Sequence, residues 1–126
     1  MFKYSIDVNT EYLKLLYFIP NTNQELQITV NEWYNNRVRT LLKYGNISFW
    51  ITVNITDLNN LFHNKQLFNK CLNNWDTSSV TNMGGMFDSV KACNQCLNNW
   101  DTSSVVYMNG MFYNSNLTLL PNWYKK

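Results

Sequence analysis

The sequence contains little charge and no long hydrophobic run. The first deficit argues against a nucleic-acid-binding protein, and the second argues against a protein that spans a membrane. Charged residues make up 14% of its 126 residues, about half of the usual share. Ten Lys and Arg stand against eight Asp and Glu without clustering, for a formal net charge of +2, so nothing predicts a nucleic-acid surface. The longest apolar run, residues 15–19, is far shorter than the roughly 18 residues of a membrane span. We therefore expect no nucleic-acid partner and no membrane span.

Cysteine and histidine are also scarce, which argues against a metal site. Cys93 and Cys96 form one C-x-x-C pair without a matching second pair, whereas a zinc site usually takes four ligands. His63 is the only histidine, and together with Cys71 it could complete a set of four ligands. We expect no metal and no other cofactor, and a disulfide between the repeat-equivalent Cys71 and Cys96 stays open.

The abundant residues are asparagine and apolar side chains. Hydrophobic residues reach 45% and aromatic residues 16%, enough for the core of one domain. Ala92 is the only alanine and Asn dominates the polar residues, which suggests AT-rich coding. Charged residues interrupt the first 20 positions, so the apolar stretch of a signal peptide is not encoded there.

The strongest pattern is an internal repeat. Residues 71–87 (CLNNWDTSSVTNMGGMF) and 96–112 (CLNNWDTSSVVYMNGMF) match at fourteen of seventeen positions. A shift back by another 25 residues places Trp50 under Trp75 and Ile55 under Val80. Periods of 20 to 50 residues are typical of solenoids, in which each unit buries its apolar face against its neighbours. We predict units at about 46–70, 71–95 and 96–116, and a truncated unit at 117–126.

Each unit is predicted to contain a short strand and one helical turn. Residues 72–77 form the strand, residues 76–79 (Asp-Thr-Ser-Ser) provide turn or capping chemistry, and residues 82–87 form the helical turn. Parallel pairing of successive strands would stack Trp75 between Trp50 and Trp100, with ladders of equivalent Asn side chains. The predicted repeat core comprises Trp50, Leu72, Trp75, Val80, Met83, Met86, Phe87, Leu97, Trp100, Val105, Met108, Met111 and Phe112.

Residues 1–45 are predicted to cap the amino-terminal end of the stack. Apolar residues alternate with polar ones over 2–8 and again over 13–17, which indicates a β-hairpin. Thr22 and Glu25 have the spacing of a capping box that opens a helix to about residue 36. A shorter helical piece follows, and Gly45 can end it.

The repeated phrases Leu72-Asn-Asn-Trp-Asp-Thr-Ser-Ser-Val80 and Met83-x-x-Met86-Phe87 resemble the bacterial-surface-protein repeat of the BspA-like family. That family is related to leucine-rich repeats and was first noted in mycoplasma lipoproteins. The resemblance implies an α+β fold, a short leucine-rich-repeat-like parallel solenoid of about three 25-residue turns behind the hairpin and helix cap. It brings no catalytic residue. With the AT-rich composition it suggests a giant-virus member, located in the virion or in the host cytoplasm.

Catalysis is not predicted. Ser78, Ser79 and their repeat equivalents lack a partnered base, and Asp76 and Asp101 each precede Thr-Ser, where a capping role explains them. The chain is therefore expected to be a non-enzymatic repeat protein that contacts other proteins, including virion coat proteins, as a homo- or hetero-oligomer. The candidate interaction face comprises Asn73, Asn74, Asn98, Asn99, Tyr107 and Tyr113.

Three functions stay open at this point. The first is a structural or accessory component of a giant-virus particle, and the second is a free host-interaction module in the cytosol. The third is binding of carbohydrate or an extended peptide by the Trp ladder, which requires Trp50, Trp75 and Trp100 to face outward. The spacing of Leu72 and Trp75, flanked by doubled Asn, favours the inward orientation.

Overall fold

The structure is a computed structural model that describes residues 16–92, 97–117 and 119–124. Two α-helices, α1 (Asn23–Asn35) and α2 (Arg37–Tyr44), are followed by a 3-10 turn at Ile47–Phe49. The repeats come next, and in the described residues they contain two isolated parallel bridges but no β-strand and no sheet. The predicted α+β class, a parallel solenoid with a β-hairpin cap, is therefore wrong.

Most of the predicted hairpin lies in residues 1–15, outside the described residues. The end of its second arm is described, and there Leu16 is helical and Tyr17 lies in a bend. The helical part of the predicted cap is present. Thr22 Oγ1 accepts a hydrogen bond from the Glu25 amide at 3.0 Å and caps α1.

Helix α1 covers the first repeat unit along its length. Its buried residues are Leu26, Thr29, Val30 and Trp33. At one end of α1, Asn23 Oδ1 accepts from the amide of Thr56 at 3.0 Å. At the other end, Tyr34 Oη accepts from the amide of Leu67 at 3.3 Å. The helix thus lies along residues 56–67 and closes the amino-terminal side of the stack.

Helix α2 ends where the repeats begin. Gly45 follows the last turn of α2 and has a φ of +74°. Glycine adopts this conformation at little cost. Trp50 Nε1 then donates to the carbonyl of Tyr44 at 3.0 Å. The indole therefore fixes the first repeat unit to the end of α2.

Backbone hydrogen bonds join the three repeat units into one stack. The second unit donates four of them to the third unit, with N···O distances of 2.7 to 3.0 Å. The first unit donates four equivalent bonds to the second at 2.8 to 2.9 Å. The donors are Leu58, Asn60, Phe62 and Asn64 in the first unit and Met83, Gly85, Phe87 and Ser89 in the second. All eight amides point toward the carboxy-terminal end of the stack.

Two left-handed residues in each unit explain why these contacts do not form strands. Gly85 and Ser89 have φ of +63° and +61°, and the equivalent pairs are Asn60 with Asn64 and Gly110 with Asn114. A residue in this region turns the chain away from the extended conformation of a strand. The segment that joins neighbouring units is consequently a series of turns, closed by bonds such as Met86 N to Met83 O at 3.3 Å.

The predicted positions of the elements within a unit are also wrong. Residues 72–77, predicted as a strand, contain a turn and a bend, and residues 82–87, predicted as a helical turn, are turns without α-helix. Parallel contact between units occurs at Asp57, Asn82 and Tyr107 instead. The parallel contacts thus lie after the Asp-Thr-Ser element and not before it.

The core of the stack contains a series of parallel phenylalanine rings. Phe62 and Phe87 have ring centroids 5.6 Å apart and an interplanar angle of 5°, and Phe87 and Phe112 are 5.6 Å apart at 2°. Phe62 also stacks on Phe68 at 4.0 Å. Aromatic burial of this kind is a dominant stabilising contribution in a small core. The aromatic ladder of this protein is therefore formed by Phe, although the sequence predicted one of Trp.

Candidate functional site

The residues predicted as repeat core lie inside the stack. Val105 and Met108 of the third unit are partly buried and pack against the core. The other eleven are buried, namely Trp50, Leu72, Trp75, Val80, Met83, Met86, Phe87, Leu97, Trp100, Met111 and Phe112.

Trp75, Trp100 and Trp123 use their one polar atom to join neighbouring parts of the stack, whereas Trp33 Nε1 is buried without a hydrogen-bond partner. Trp75 Nε1 donates to Ile47 O at 2.8 Å, Trp100 Nε1 to Leu72 O at 2.8 Å, and Trp123 Nε1 to Leu97 O at 2.7 Å. A buried indole N–H usually has such a partner. Because Trp50, Trp75 and Trp100 are at most 4% exposed, these side chains do not form an outward ladder for sugars or peptides.

The six residues of the predicted interaction face fall into two groups. Tyr107 and Tyr113 are 60% and 69% exposed and line one groove. The other four, Asn73, Asn74, Asn98 and Asn99, do not line that groove. Asn73 Oδ1 is buried without a hydrogen-bond partner, and Asn98 Oδ1 accepts a hydrogen bond from Asn122 N at 2.8 Å.

The groove beside the two tyrosines, here called the Tyr groove, crosses all three units. Its volume is about 400 Å³. It is lined by Asn59, Asn60, Asn82, Gly84, Gly85, Asp88, Tyr107, Asn109, Gly110 and Tyr113.

The floor of the Tyr groove exists because the second unit lacks side chains there. Gly84 and Gly85 occupy the positions that Asn59 and Asn60 hold in the first unit. A Cβ atom on Gly85 would lie 2.1 Å from Asn60 Oδ1, well inside van der Waals contact. The glycine pair therefore allows the Asn60 side chain to lie across the second unit, and it leaves a depression between the first and third units.

The chemistry of the Tyr groove is polar, aromatic and nearly uncharged. Amide groups and two phenol rings supply most of it, and Asp88 is the one charged residue among those that line it. That carboxylate has local partners, since its Oδ1 accepts from Ser89 Oγ at 2.8 Å and its Oδ2 lies 3.4 Å from His63 Nδ1. Tyrosine rings and amides suit hydrogen bonding and packing against a polar partner surface.

Asp76 and Asp101, for which the sequence predicts a capping role, each hold a turn through the carboxylate. Asp76 Oδ1 accepts from the amide and the hydroxyl of Ser78 at 2.9 and 2.6 Å, and Asp101 holds Ser103 in the same way. This is the turn chemistry that Asp provides to a following backbone amide.

The potential metal ligands are not gathered in the part of the chain that the structure describes. Those residues contain no group of three or more His, Cys, Asp or Glu arranged to hold a metal ion. Cys71 is an exposed thiol, whereas Cys93 and Cys96 lie outside the described residues. Among the described helices, none has the length and apolarity to cross a membrane.

Sequence reasoning missed two structural features that the repeat could have revealed. Thr77 is buried and its Oγ1 donates to Asp101 O at 2.9 Å, and Thr52, one period earlier, donates to Asp76 O at 3.0 Å. Phe62 lies one period before Phe87 and forms the stacked ring series with it. In both cases the signal was an identical residue at the same place in successive units.

Comparison with known proteins supports the family and leaves the function open. No curated protein and no solved structure matches this chain. One family model, described as Mycoplasma protein of unknown function, DUF285, matches residues 29–122. The match includes α1 from Thr29 onward, α2 and all three repeat units. The resemblance carried by the Trp-Asp-Thr-Ser-Ser phrases is thereby confirmed at the level of the family, and the chain belongs to this BspA-like repeat family of unknown function.

Proposed function

We propose that the chain is a non-enzymatic protein that works through protein–protein contacts at the Tyr groove. The observation that carries this proposal is the exposure of Tyr107 and Tyr113, at 60% and 69%, beside a groove lined by amides. Tyrosine is enriched at protein interfaces because it combines a large rigid contact area with a hydrogen-bonding group.

The rigid frame under the Tyr groove also supports this role. The carbonyls of Tyr107 and Tyr113 accept from Met83 N at 2.7 Å and Ser89 N at 2.8 Å. The backbone that carries each phenol is thus fixed to the second unit before any partner arrives. Pre-organised contacts lose less entropy on binding than flexible ones do.

Alanine substitution tests the Tyr groove. Partners are first identified by cross-linking mass spectrometry of the full chain in its native source, and their affinities are then measured with purified variants. We expect Tyr107→Ala with Tyr113→Ala to weaken binding by at least about tenfold, as loss of an aromatic contact does. Phe49→Ala is the control, because Phe49 is 52% exposed but does not line the groove. Equal affinities for the double variant and the parent would reject this surface.

We propose that these contacts are made in a giant-virus particle, of which the chain is a structural or accessory component. The support is the Asn-rich, Ala-poor composition and the resemblance of the repeat. Quantitative mass spectrometry of purified particles and of cell fractions tests the setting separately from the surface. A fixed ratio to coat proteins is expected, whereas cross-links to cellular proteins alone would favour a free host-interaction module in the cytosol.

A further inference from the structure

The side-chain amides of the Tyr groove have hydrogen-bonding capacity that the chain itself does not use. In the part of the chain that the structure describes, the side chains of Asn59, Asn60 and Asn109 make no hydrogen bond. Asn82 Oδ1 accepts from Gly84 N at 2.9 Å, which leaves both donors of its Nδ2 unused among the described residues. Each side-chain amide places two N–H donors beside a carbonyl acceptor. The groove therefore presents four amides that can bond a ligand.

Three of these amides converge on the glycine floor of the Tyr groove. Asn59 Oδ1 and Asn82 Oδ1 each lie 3.2 Å from the point that a Cβ atom on Gly84 would occupy. Asn60 Oδ1 lies still closer to the corresponding point on Gly85. The first and second units thus hold their amide oxygens together over bare backbone, and the third unit lines the same groove with a fourth amide. A ligand on this floor would meet amides from all three units.

Tyr107 and Tyr113 supply flat apolar surfaces beside the amides. Both side chains are exposed, and within the described residues neither ring contacts another aromatic ring. The face of an aromatic ring is electronegative, and the C–H groups of a sugar ring are electropositive because each of these carbons also bears an oxygen. A sugar ring can therefore pack its C–H side against a phenol ring while its hydroxyl groups, which both donate and accept, bond to the amides.

The lining of the Tyr groove disfavours peptides and anions as its ligands. It consists of Asn, Gly and Tyr residues and Asp88, without an aliphatic side chain or a cation. A bound peptide is anchored by side chains that enter apolar pockets, and a phosphate or carboxylate group is bound by cationic side chains. The carboxylate of Asp88 would also repel an anion. The lining therefore suits a ligand that is uncharged and rich in hydroxyl groups.

We infer that the Tyr groove binds a neutral carbohydrate, which the partner protein carries as a glycan. The groove volume of about 400 Å³ is within the range of small-ligand sites. The surface differs from the predicted Trp ladder, because Trp50, Trp75 and Trp100 are buried and take no part in it. This inference rests on the proposed protein-contact function and names the chemical group that the partner contributes.

The first test applies the full chain to an array of neutral oligosaccharides built from hexoses, deoxyhexoses and N-acetylhexosamines. Sialylated and phosphorylated oligosaccharides serve as charged controls. We expect at least one neutral oligosaccharide to bind with a Kd of about 1 mM or tighter, and to shift the NMR signals of the Asn59 and Asn109 side-chain amides and of the Tyr107 ring. Binding of charged oligosaccharides alone would overturn the inference, as would no binding or binding that leaves these signals unchanged.

Variants of the groove define how the oligosaccharide is held. Tyr107→Ala should weaken its binding by at least about tenfold, whereas Tyr107→Phe keeps the ring face and should stay within about threefold of the parent. Asn59→Ala should weaken binding by about fivefold, as loss of one hydrogen bond does. Its matched control is Asn54→Ala, since Asn54 is exposed in the same unit but does not line the groove. Parent-like affinity in the Tyr107→Ala variant would overturn the inference.

Enzymatic removal of glycans from the native partner separates this inference from the proposed function. We expect removal to weaken partner binding by at least about tenfold, as the Tyr107 and Tyr113 double substitution does. If the deglycosylated partner bound as tightly as before while the double variant lost binding, the Tyr groove would contact the protein surface of the partner. That result would overturn the inference and leave the proposed function standing. Parent-like partner binding in the double variant would reject both.

Discussion

The second and third repeat units have nearly the same sequence but different surroundings. Val80, Met83 and Phe87 of the second unit are completely buried. In the third unit, Val105 and Met108 are only partly buried and Phe112 is 8% exposed. The side chains are identical, so the difference comes from the neighbour, because in the described part of the chain the second unit lies between two others and the third contacts one. In this fold, a neighbouring unit decides what a given residue contributes to stability.

The largest expected effect compares Phe87→Ala with Phe112→Ala. Phe87 stacks between two phenylalanine rings, whereas Phe112 stacks on one and has the edge of Tyr124 on its other side. Truncation of a fully buried Phe costs about 3–5 kcal/mol. We expect Phe87→Ala to reach that range and Phe112→Ala to cost about 1–2 kcal/mol less, measured by urea unfolding.

A loss of this size approaches the whole stability of a small domain, about 5–15 kcal/mol. Phe87→Leu and Phe112→Leu therefore serve as milder variants with the same expected order. If the third-unit substitution proved as costly as the second-unit one, the C-terminal segment would be covering Phe112 as completely as a repeat unit covers Phe87.

The glycines sharpen the comparison, because Gly85 and Gly110 have nearly the same φ, +63° and +66°. Alanine at either position carries a similar backbone cost of about 1–2 kcal/mol. Of the two, only Gly85 would place the added methyl group against a neighbouring unit, at 2.1 Å from Asn60 Oδ1, while at Gly110 it would meet only Tyr113 Cβ of its own unit, at an ordinary van der Waals distance of 3.9 Å. Gly85→Ala should therefore be more destabilising than Gly110→Ala in thermal or urea unfolding, by up to about 1 kcal/mol, because the Asn60 side chain must turn to another rotamer.

A double variant tests the cause of that difference. Asn60→Gly removes the atom that the new methyl group would strike. In that background, Gly85→Ala should cost no more than Gly110→Ala does in the parent. If the excess cost persisted without the Asn60 side chain, it would have to come from the backbone and not from this contact.

The sequence predicted the 25-residue repeat and the capped helix α1 because each depends on local or periodic information. Thr22 and Glu25 are close enough in sequence to indicate the cap that Thr22 Oγ1 provides. The spacing of 25 residues required no structure to find. Such features can be predicted from the sequence because they do not depend on contacts between residues that are distant in the chain.

The fold class could not be predicted from the same pattern, since the backbone conformation between units depends on left-handed residues. Asn60, Ser89 and Asn114 take positive φ, although Asn and Ser are also common in ordinary turns and caps. The apolar spacing within a unit was interpreted as a strand over residues 72–77, where the chain forms a turn and a bend. The Tyr groove was partly predictable, as Tyr107 and Tyr113 were identified, but its floor depends on Gly84 and Gly85, whose role appears only when three units are stacked.

A smaller effect is expected from the buried hydroxyls. Thr77 is 2% exposed and donates to Asp101 O at 2.9 Å, whereas Thr102, its equivalent in the third unit, is half-buried. Thr77→Val removes a buried hydrogen bond, which costs about 1–2 kcal/mol. Thr102→Val should change the free energy of unfolding by less than about 0.5 kcal/mol. Equal effects in urea titrations would show that the third unit is as well covered as the second.

The smallest effect concerns Lys65, which stands where the second unit has the buried Val90. Burial lowers the pKa of Lys65 from its ordinary value of 10.5. Between that lowered pKa and 10.5 the unfolded chain binds more protons than the folded one, so the free energy of unfolding rises as pH increases through this window. Below the window the cost of burying the charge is fully present.

Lys65→Met should therefore stabilise the protein at pH 7, by less than about 0.5 kcal/mol because the ammonium is partly hydrated, and should remove this rise with pH. Lys65→Arg is the control, since arginine stays protonated throughout. It should also remove the rise, but without the gain at pH 7. The measurement is urea unfolding of the three proteins from pH 7 to pH 10.5. A pH profile of Lys65→Met parallel to that of the parent would mean that Lys65 carries no cost of burial and that the first unit tolerates a charge where the second unit requires valine.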